Sequence, residues 1–207
     1  MKLYSFLKGL LSGLFKWIYN LKIVSNENVP KDGAYVVVCN HISLGDVIIL
    51  GVACPRQIYF MAKKELFKIP LLSALIKALG AFPVDRKGNP AGAVKTSIRY
   101  LKEGKLVGMF PQGTRSRNVS VEDTEFKTGA AFAAYKSGSG VIPAFIKTKN
   151  QKFKFFARTD IIFGTPISFD ELHFTEGGRD ELENATQIIK DAVFALEKEA
   201  YGGKYNA

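Results

Sequence analysis

The 207-residue chain holds only two cysteines, two histidines and one tryptophan. Cys39 and Cys54 sit inside apolar runs without ligand spacing, which excludes a disulfide scaffold and a cysteine metal cluster. They read as buried free thiols of a reducing compartment. His41 and His173 stand apart, so no metal is expected. Neither a Walker nor a dinucleotide-binding glycine pattern occurs, which removes the common nucleotide loops. No Gly-x-Ser-x-Gly elbow supplies a serine nucleophile. Repeats and low-complexity segments are absent as well. No run of about 20 apolar residues exists to span a bilayer, because Lys8 and Lys16 interrupt residues 3–21. Nor does a small-residue cleavage site follow them, which argues against a signal peptide.

What is present fits a globular protein: 47% of residues are hydrophobic and 23% charged, in a length suited to one domain. Lys and Arg number 29 against 19 Asp and Glu, a net charge of +10. Such an excess either favours polyanionic partners or serves solubility. Aromatic residues are not interleaved with basic ones on a common surface, so nucleic acid is not expected as a partner. On a helical wheel, Ser5, Lys8, Ser12, Lys16 and Asn20 fall on one arc, and leucines, phenylalanines, Trp17 and Ile18 fill the rest. Residues 1–24 therefore read as an amphipathic helix lying in a membrane interface, or packing on its own domain.

Residues 25–207 alternate strand-like and helix-like segments. Short apolar runs at 34–39, 57–61, 105–110 and 141–147 predict buried strands, with one or two more in 153–167. Helices are predicted at 69–79, 89–103, 128–137 and 180–200. In the second, Asn89 caps, Pro90 opens the first turn and Gly104 ends it. This order argues for a single α/β domain with a mixed, mostly parallel sheet flanked by helices. Residues 115–125 read as a polar loop and 202–207 as a frayed tail.

His41 ends the apolar run VVVC-N and stands where open α/β sheets place ligands. A neutral imidazole there can take a proton from an alcohol, with Asp46 holding its other nitrogen, provided His41 precedes the helix. Equally, Ser43-Leu44-Gly45-Asp46 fits a capping box in which Asp46 only closes the helix start. If His41 is a base, then with no protein nucleophile evident the substrate brings its own hydroxyl. Two further turns, GAFPVDRKG (80–88) and FPQGTRSR (110–117), carry arginines suited to phosphate or simply solvated. In the second, Gly113 can bring backbone N–H groups near an anion.

Taken together these stretches resemble a known family. NHISLGD (40–46) looks like the Asn-His-x4-Asp box of the glycerolipid acyltransferases, the bacterial 1-acyl-glycerol-3-phosphate acyltransferases in particular. GAFPVDR, FPQGTRS and VIPAFI (141–146) resemble its second, third and fourth blocks, in order. AKKEL (62–66) matches a lysine-bearing segment between the first two.

The resemblance implies that His41 is the general base and Asp46 its partner. Arg86 and Arg115 would hold the acceptor's phosphate with help from Lys63, and Gly113 and Thr114 would form the binding turn. Pro143 corresponds to a proline linked to acyl-donor binding. One position departs: the family usually carries Glu where this chain has Gln112, a residue placed against the acceptor's glycerol backbone. The implied reaction moves a fatty acyl group from a thioester to the free hydroxyl of lysophosphatidate, forming phosphatidate. Glycerol 3-phosphate or another lysolipid are alternative acceptors, and a non-catalytic module for anionic membranes is the rival outside enzymology. No cofactor is implied beyond acyl-CoA or acyl-carrier protein as donor substrate. The implied place is the cytoplasmic side of the cell membrane, as a peripheral, monotopic protein.

Overall fold

The computed structural model describes residues 9, 12–14, 16–84, 90–148 and 156–202. Its order is β1 (Leu21–Val24), β2 (Tyr35–Cys39), α1 (Gly45–Ala53), β3 (Ile58–Lys63), α2 (Pro70–Ala78) and β4 (Ala81–Val84). There follow α3 (Pro90–Lys102), β5 (Leu106–Met109), α4 (Gly129–Ser137), β6 (Gly140–Thr148), β7 (Thr159–Phe163) and α5 (Arg179–Tyr201). One seven-stranded sheet runs in the order β1-β7-β6-β2-β5-β3-β4. The strands from β6 to β4 are all parallel, and β7 joins antiparallel to β6 with β1 parallel beside it. This is the single α/β domain with a mostly parallel mixed sheet that the element order predicts.

Two apolar layers explain the continuous hydrophobic strands. Val36 and Val38 of β2 face the layer built with Val107, Ala130, Ala134, Ile189 and Val193, beneath α3, α4 and α5. Val37 and Cys39 face the opposite layer, with Ile49 and Leu50 of α1. Side chains alternate in direction, and helices cover both faces, so every position of a central strand is apolar. Pro90 starts α3 as predicted; its proposed cap, Asn89, lies outside the described residues. Gly104, at φ +76°, ends it with a backward bond from Lys105 N to Tyr100 O.

One expectation changes. The sequence predicts an amphipathic helix over residues 1–24, yet Leu21–Val24 is an edge strand registered on β7 from Leu21↔Thr159. Pairing across 138 positions of sequence overrides the local helical period there. The described part of the 153–167 segment holds one strand, β7, and a bridge from Ile167 to Val141, within the one or two strands expected there. Among the described N-terminal residues, 9, 12–14 and 16–18 are helical, and Ser12 Oγ donates to Val52 O on α1 at 3.4 Å. The remaining N-terminal residues and the tail 203–207 lie outside the described residues. No described helix is long and apolar enough to cross a membrane.

The topology also decides what gathers at one edge. The carboxyl ends of β2, β3, β4, β5 and β6 all emerge there, and so do the starts of β1 and β7, which run the other way.

Candidate active site

Asn40 is the residue that ends β2. Its Oδ1 accepts from Ile146 N at 2.7 Å and its Nδ2 donates to Ile146 O at 3.0 Å. The buried amide thus imitates one more rung of the β2–β6 ladder while its own backbone leaves the sheet. His41 then stands in the turn before α1, as the base reading required. Its Nδ1 lies 2.7 Å from Asp46 Oδ2. The same Oδ2 accepts from the backbone N–H groups of Ile42 (2.7 Å) and Ser43 (2.8 Å). One carboxylate oxygen therefore holds both the imidazole and the backbone of the turn before α1, while Leu44, the residue that caps the helix, has no side-chain cap bond. Asp46 is fully buried, and its Oδ1 has no hydrogen bond among the described residues. Its charge, after burial itself, helps push the thiol of Cys39 well above the usual thiol range.

With Nδ1 committed to a carboxylate, the neutral ring carries its proton there and Nε2 keeps a free lone pair. The imidazole is 15% exposed and lies on Phe110, ring centres 4.3 Å apart and 23° from parallel. Phe110 stacks in turn over Phe60. Phe60 crosses β5 at Gly108, where any Cβ would meet its ring at 2.1 Å. Gly108 is thus the small residue that lets an aromatic wall stand behind His41.

The third block folds around this histidine in an unforeseen way. Gln112 is buried, and its Oε1 accepts the backbone N–H of His41 at 2.7 Å. Its Nε2 donates to Thr124 Oγ1 at 3.3 Å, and that hydroxyl donates to Val121 O. Each end of the amide thus holds a protein group, which gives Gln112 a part in positioning His41 that the motif did not announce. The cause is the turn at Pro111–Gln112, which points the side chain inward beneath the histidine backbone. Ser116 N donates to His41 O at 2.8 Å, and Arg117 Nε donates to Ile42 O at 2.9 Å. The loop after β5 therefore clasps the loop after β2 from both sides.

A cavity of about 320 Å³ opens beside the imidazole, walled by Phe60, Met61, Val84, Val94 and Phe110, with Gly113 and Lys127 at its polar end. Gly113 has φ +70°, and a Cβ there would come 3.1 Å from Lys127 Nζ. The positive φ is what favours glycine, since the end of the Lys127 side chain can move aside. The Gly113 N–H closes the turn onto Phe110 O, so it is not available to an anion. Thr114 and Arg115, the next two residues, are exposed. Lys63, the last residue of β3, is exposed on the same edge. Arg86 lies outside the described residues. Pro143 is buried within β6 opposite Val38 and does not line the cavity. Its carbonyl accepts from Gly164 N just past the end of β7, so its missing N–H falls where the ladder stops.

Sequence reasoning missed four participants: Asn40, Phe110, Thr124 and Lys127. Asn40 had a readable signal, a polar residue closing an apolar strand immediately before a histidine. Lys127 had none, because its backbone is brought to the site by a bond from its N–H to Pro111 O. Val94 also lines a second groove of about 480 Å³ between α3 and α4, rimmed by Lys95, Lys102 and Lys136.

The chain is similar to known proteins in sequence and fold. The family model described as Acyltransferase matches residues 20–147. A 1-acyl-sn-glycerol-3-phosphate acyltransferase of Bacillus subtilis is 33% identical over 94% of this chain and 97% of its own length. One from Borreliella burgdorferi is 32% identical over 86% of this chain and 72% of its own. The crystal structure of the 1-acyl-sn-glycerophosphate (LPA) acyltransferase PlsC from Thermotoga maritima superposes with a TM-score of 0.71 at 25% identity, covering 94% of this chain and 79% of that one. With likeness of this extent in both sequence and fold, the chain belongs to the Acyltransferase family.

Proposed function

We propose that the protein transfers a fatty acyl group from a thioester to the hydroxyl of 1-acyl-glycerol 3-phosphate, forming phosphatidate. The observation that carries the reading is the imidazole held through Nδ1 by Asp46 beside an apolar cavity. His41 Nε2 takes the proton of the acceptor hydroxyl as its oxygen bonds to the thioester carbonyl carbon. The tetrahedral oxyanion then collapses, the carbon–sulfur bond breaks, and the thiolate recovers the proton from the imidazolium as free thiol. A thiol of pKa near about 8.5 leaves far more readily than an alkoxide. No acyl-enzyme is needed. Asp46 fixes the tautomer and offsets the imidazolium charge as it forms.

For the phosphate, Arg115 and Lys63 are cations at the right edge, with Arg86 as a third by its motif. Lys127, at the cavity mouth, joins them. The backbone N–H groups of Thr114 and Arg115 have no hydrogen bond among the described residues and are suited to an anion. Pro143 acts on the donor only through β6, and Gln112 positions His41. The donor is acyl-CoA or acyl-carrier protein; each has a phosphate for which the lysine-rimmed groove supplies cations.

The protein works at the cytoplasmic side of the membrane as a peripheral protein, held by residues 3–21. Ser12, on the polar arc, turns towards α1, while Leu14 and Trp17 are exposed. Exposed Leu14 and Trp17 beside exposed Lys16 suit an anionic membrane interface better than self-packing. The deciding assay supplies acyl-CoA and acyl-carrier donors with lysophosphatidate and follows free thiol together with phosphatidate by mass spectrometry. Acceptor-dependent thiol release is expected. Its absence with both donors refutes the reading, and release with glycerol 3-phosphate alone changes the acceptor.

A further inference from the structure

The helix α2 is apolar on both sides: Leu72, Ile76 and Ala78 are half-buried against the domain, and further apolar residues face outward. Ser73 is its one buried residue, whereas Leu71 is 85% exposed and Leu75 is exposed as well. In the turns before it, Leu66 and Ile69 are also exposed. A helix of a water-facing domain carries polar residues on its outer face, where α2 presents leucines. Topology places this segment beside the catalytic edge, because it leaves the carboxyl end of β3, next to β5 and the loop that clasps His41. Leu44, 73% exposed, follows β2 at that edge. Trp17 and Phe156, exposed and packed ring edge to face, precede β1 and β7 at the same edge, because those strands run in the opposite direction. Apolar side chains thus project at both ends of one sheet edge and at its middle.

We propose that this edge is a lipid-contact surface, with the segment 64–78 as a second anchor that turns the mouth of the His41 cavity towards the membrane. This contact extends the membrane reading above to a part of the chain far from the N-terminus, and the assay lets either fail alone. The occupant is an anionic lipid surface. Residues 63–78 carry four lysines, Lys63, Lys64, Lys68 and Lys77, and one carboxylate, Glu65. Apolar tips between cations match an interface in which acyl chains lie below anionic headgroups. A second copy of the chain would set these lysines against each other. The arrangement also lets an acceptor with one buried chain and an exposed headgroup reach His41 without leaving the bilayer.

Trp17 is the chain's sole tryptophan, which allows a direct test. In the full-length protein carrying Trp17→Phe and Leu71→Trp, emission should shift to the blue on adding phosphatidylcholine vesicles containing phosphatidylglycerol. Lipids brominated on their acyl chains should quench it. Unchanged emission from protein that co-sediments with vesicles overturns the second anchor and leaves the N-terminal one standing. Self-association that is lost in Leu71→Ser would make the surface a contact between copies, and overturns it too. Independently, Ile69→Ser with Leu71→Ser should weaken vesicle binding and turnover of vesicle-held acceptor about tenfold or more, with monomeric short-chain acceptor changed less than about twofold. Equal losses on both acceptors would place these side chains in the active site rather than on lipid. If the parent protein turns over neither acceptor, the acyltransfer reading falls while the quenching result still stands.

Discussion

Gln112→Ala removes the side-chain acceptor of the His41 backbone N–H, now bonded at 2.7 Å and without a second acceptor among the described residues. A buried N–H left without a partner costs about 1–3 kcal/mol. In a domain of this size each kcal/mol is worth about 2–4 °C, so melting should fall by about 4–8 °C for the middle of that range. Thr124 loses a donor but keeps its own bond to Val121 O at 2.9 Å, so the far end of the network survives. The larger effect is on position. The His41 backbone is then held by Ser116 N alone, and a displacement near 1 Å costs about 10²-fold in rate. The expected result is kcat down about 10²-fold with KM for both substrates nearly unchanged. Gln112→Glu behaves differently. A carboxylate still accepts from His41 N, and more strongly, about 1.5–3 against about 1 kcal/mol. It cannot donate to Thr124, whose hydroxyl must then turn away from Val121 O. These effects oppose each other, so kcat should move by less than about tenfold. Steady-state kinetics with each substrate varied, beside thermal melts, make the comparison. A tenfold or larger rise in acceptor KM for Gln112→Ala at unchanged kcat refutes the positioning role and puts the side chain on the substrate. A gain of several decades for Gln112→Glu would mean that the carboxylate takes part in the chemistry.

His41→Ala should remain folded and lose about 10²–10⁴-fold in kcat, the usual worth of a general base; near-normal turnover would end the mechanism. Asp46→Asn should lose a similar amount. It should also melt lower, because its amide NH2 would occupy the buried position of Oδ1, where no described acceptor stands. Lys127→Met should raise KM for a phosphate-bearing acceptor about tenfold or more with kcat little changed, whereas a pure loss of stability would show it to be structural. Burial holds the Cys39 thiol protonated well above the ordinary range, so the native protein should resist alkylation at mildly alkaline pH and react once unfolded. By the same linkage the Cys39 contribution to stability is complete below about pH 8.5 and declines above it by up to about 1.4 kcal/mol per pH unit, as only the unfolded chain loses the proton. Removing residues 1–15 should release the protein's N-terminal hold on vesicles without unfolding it, but a cut beyond Leu21 should destabilise β1 and β7, as melting curves will show.

Much of this molecule was readable from short stretches of chain. β2 announces itself because both sheet faces are covered, and a strand buried twice must be apolar throughout. Pro90 and Gly104 bound α3 through backbone preferences that act within a turn. The spacing of His41 and Asp46 predicted a pair provided the histidine stood before the helix, and it also predicted a cap. Both readings were local, and in the structure Asp46 Oδ2 makes the contact with His41 and holds the turn before α1, not the helix cap at Leu44. The remainder depended on groups far apart in sequence. Gln112 reaches His41 across 71 positions only because β2 and β5 are neighbours in a particular register. Pro143 resembles a donor-site residue in its motif, yet the β6 ladder buries it away from the cavity. Leu21–Val24 has too few residues to declare a strand and becomes one by pairing with β7. The outward leucines of α2 have an ordinary amphipathic period, and periodicity cannot say which face meets the protein. Sequence determined the local conformations and the chemistry available, since caps, turns and side-chain alternation act over a few residues. The order and direction of the strands decided which of those groups meet, because that order alone brings distant strand ends to one edge.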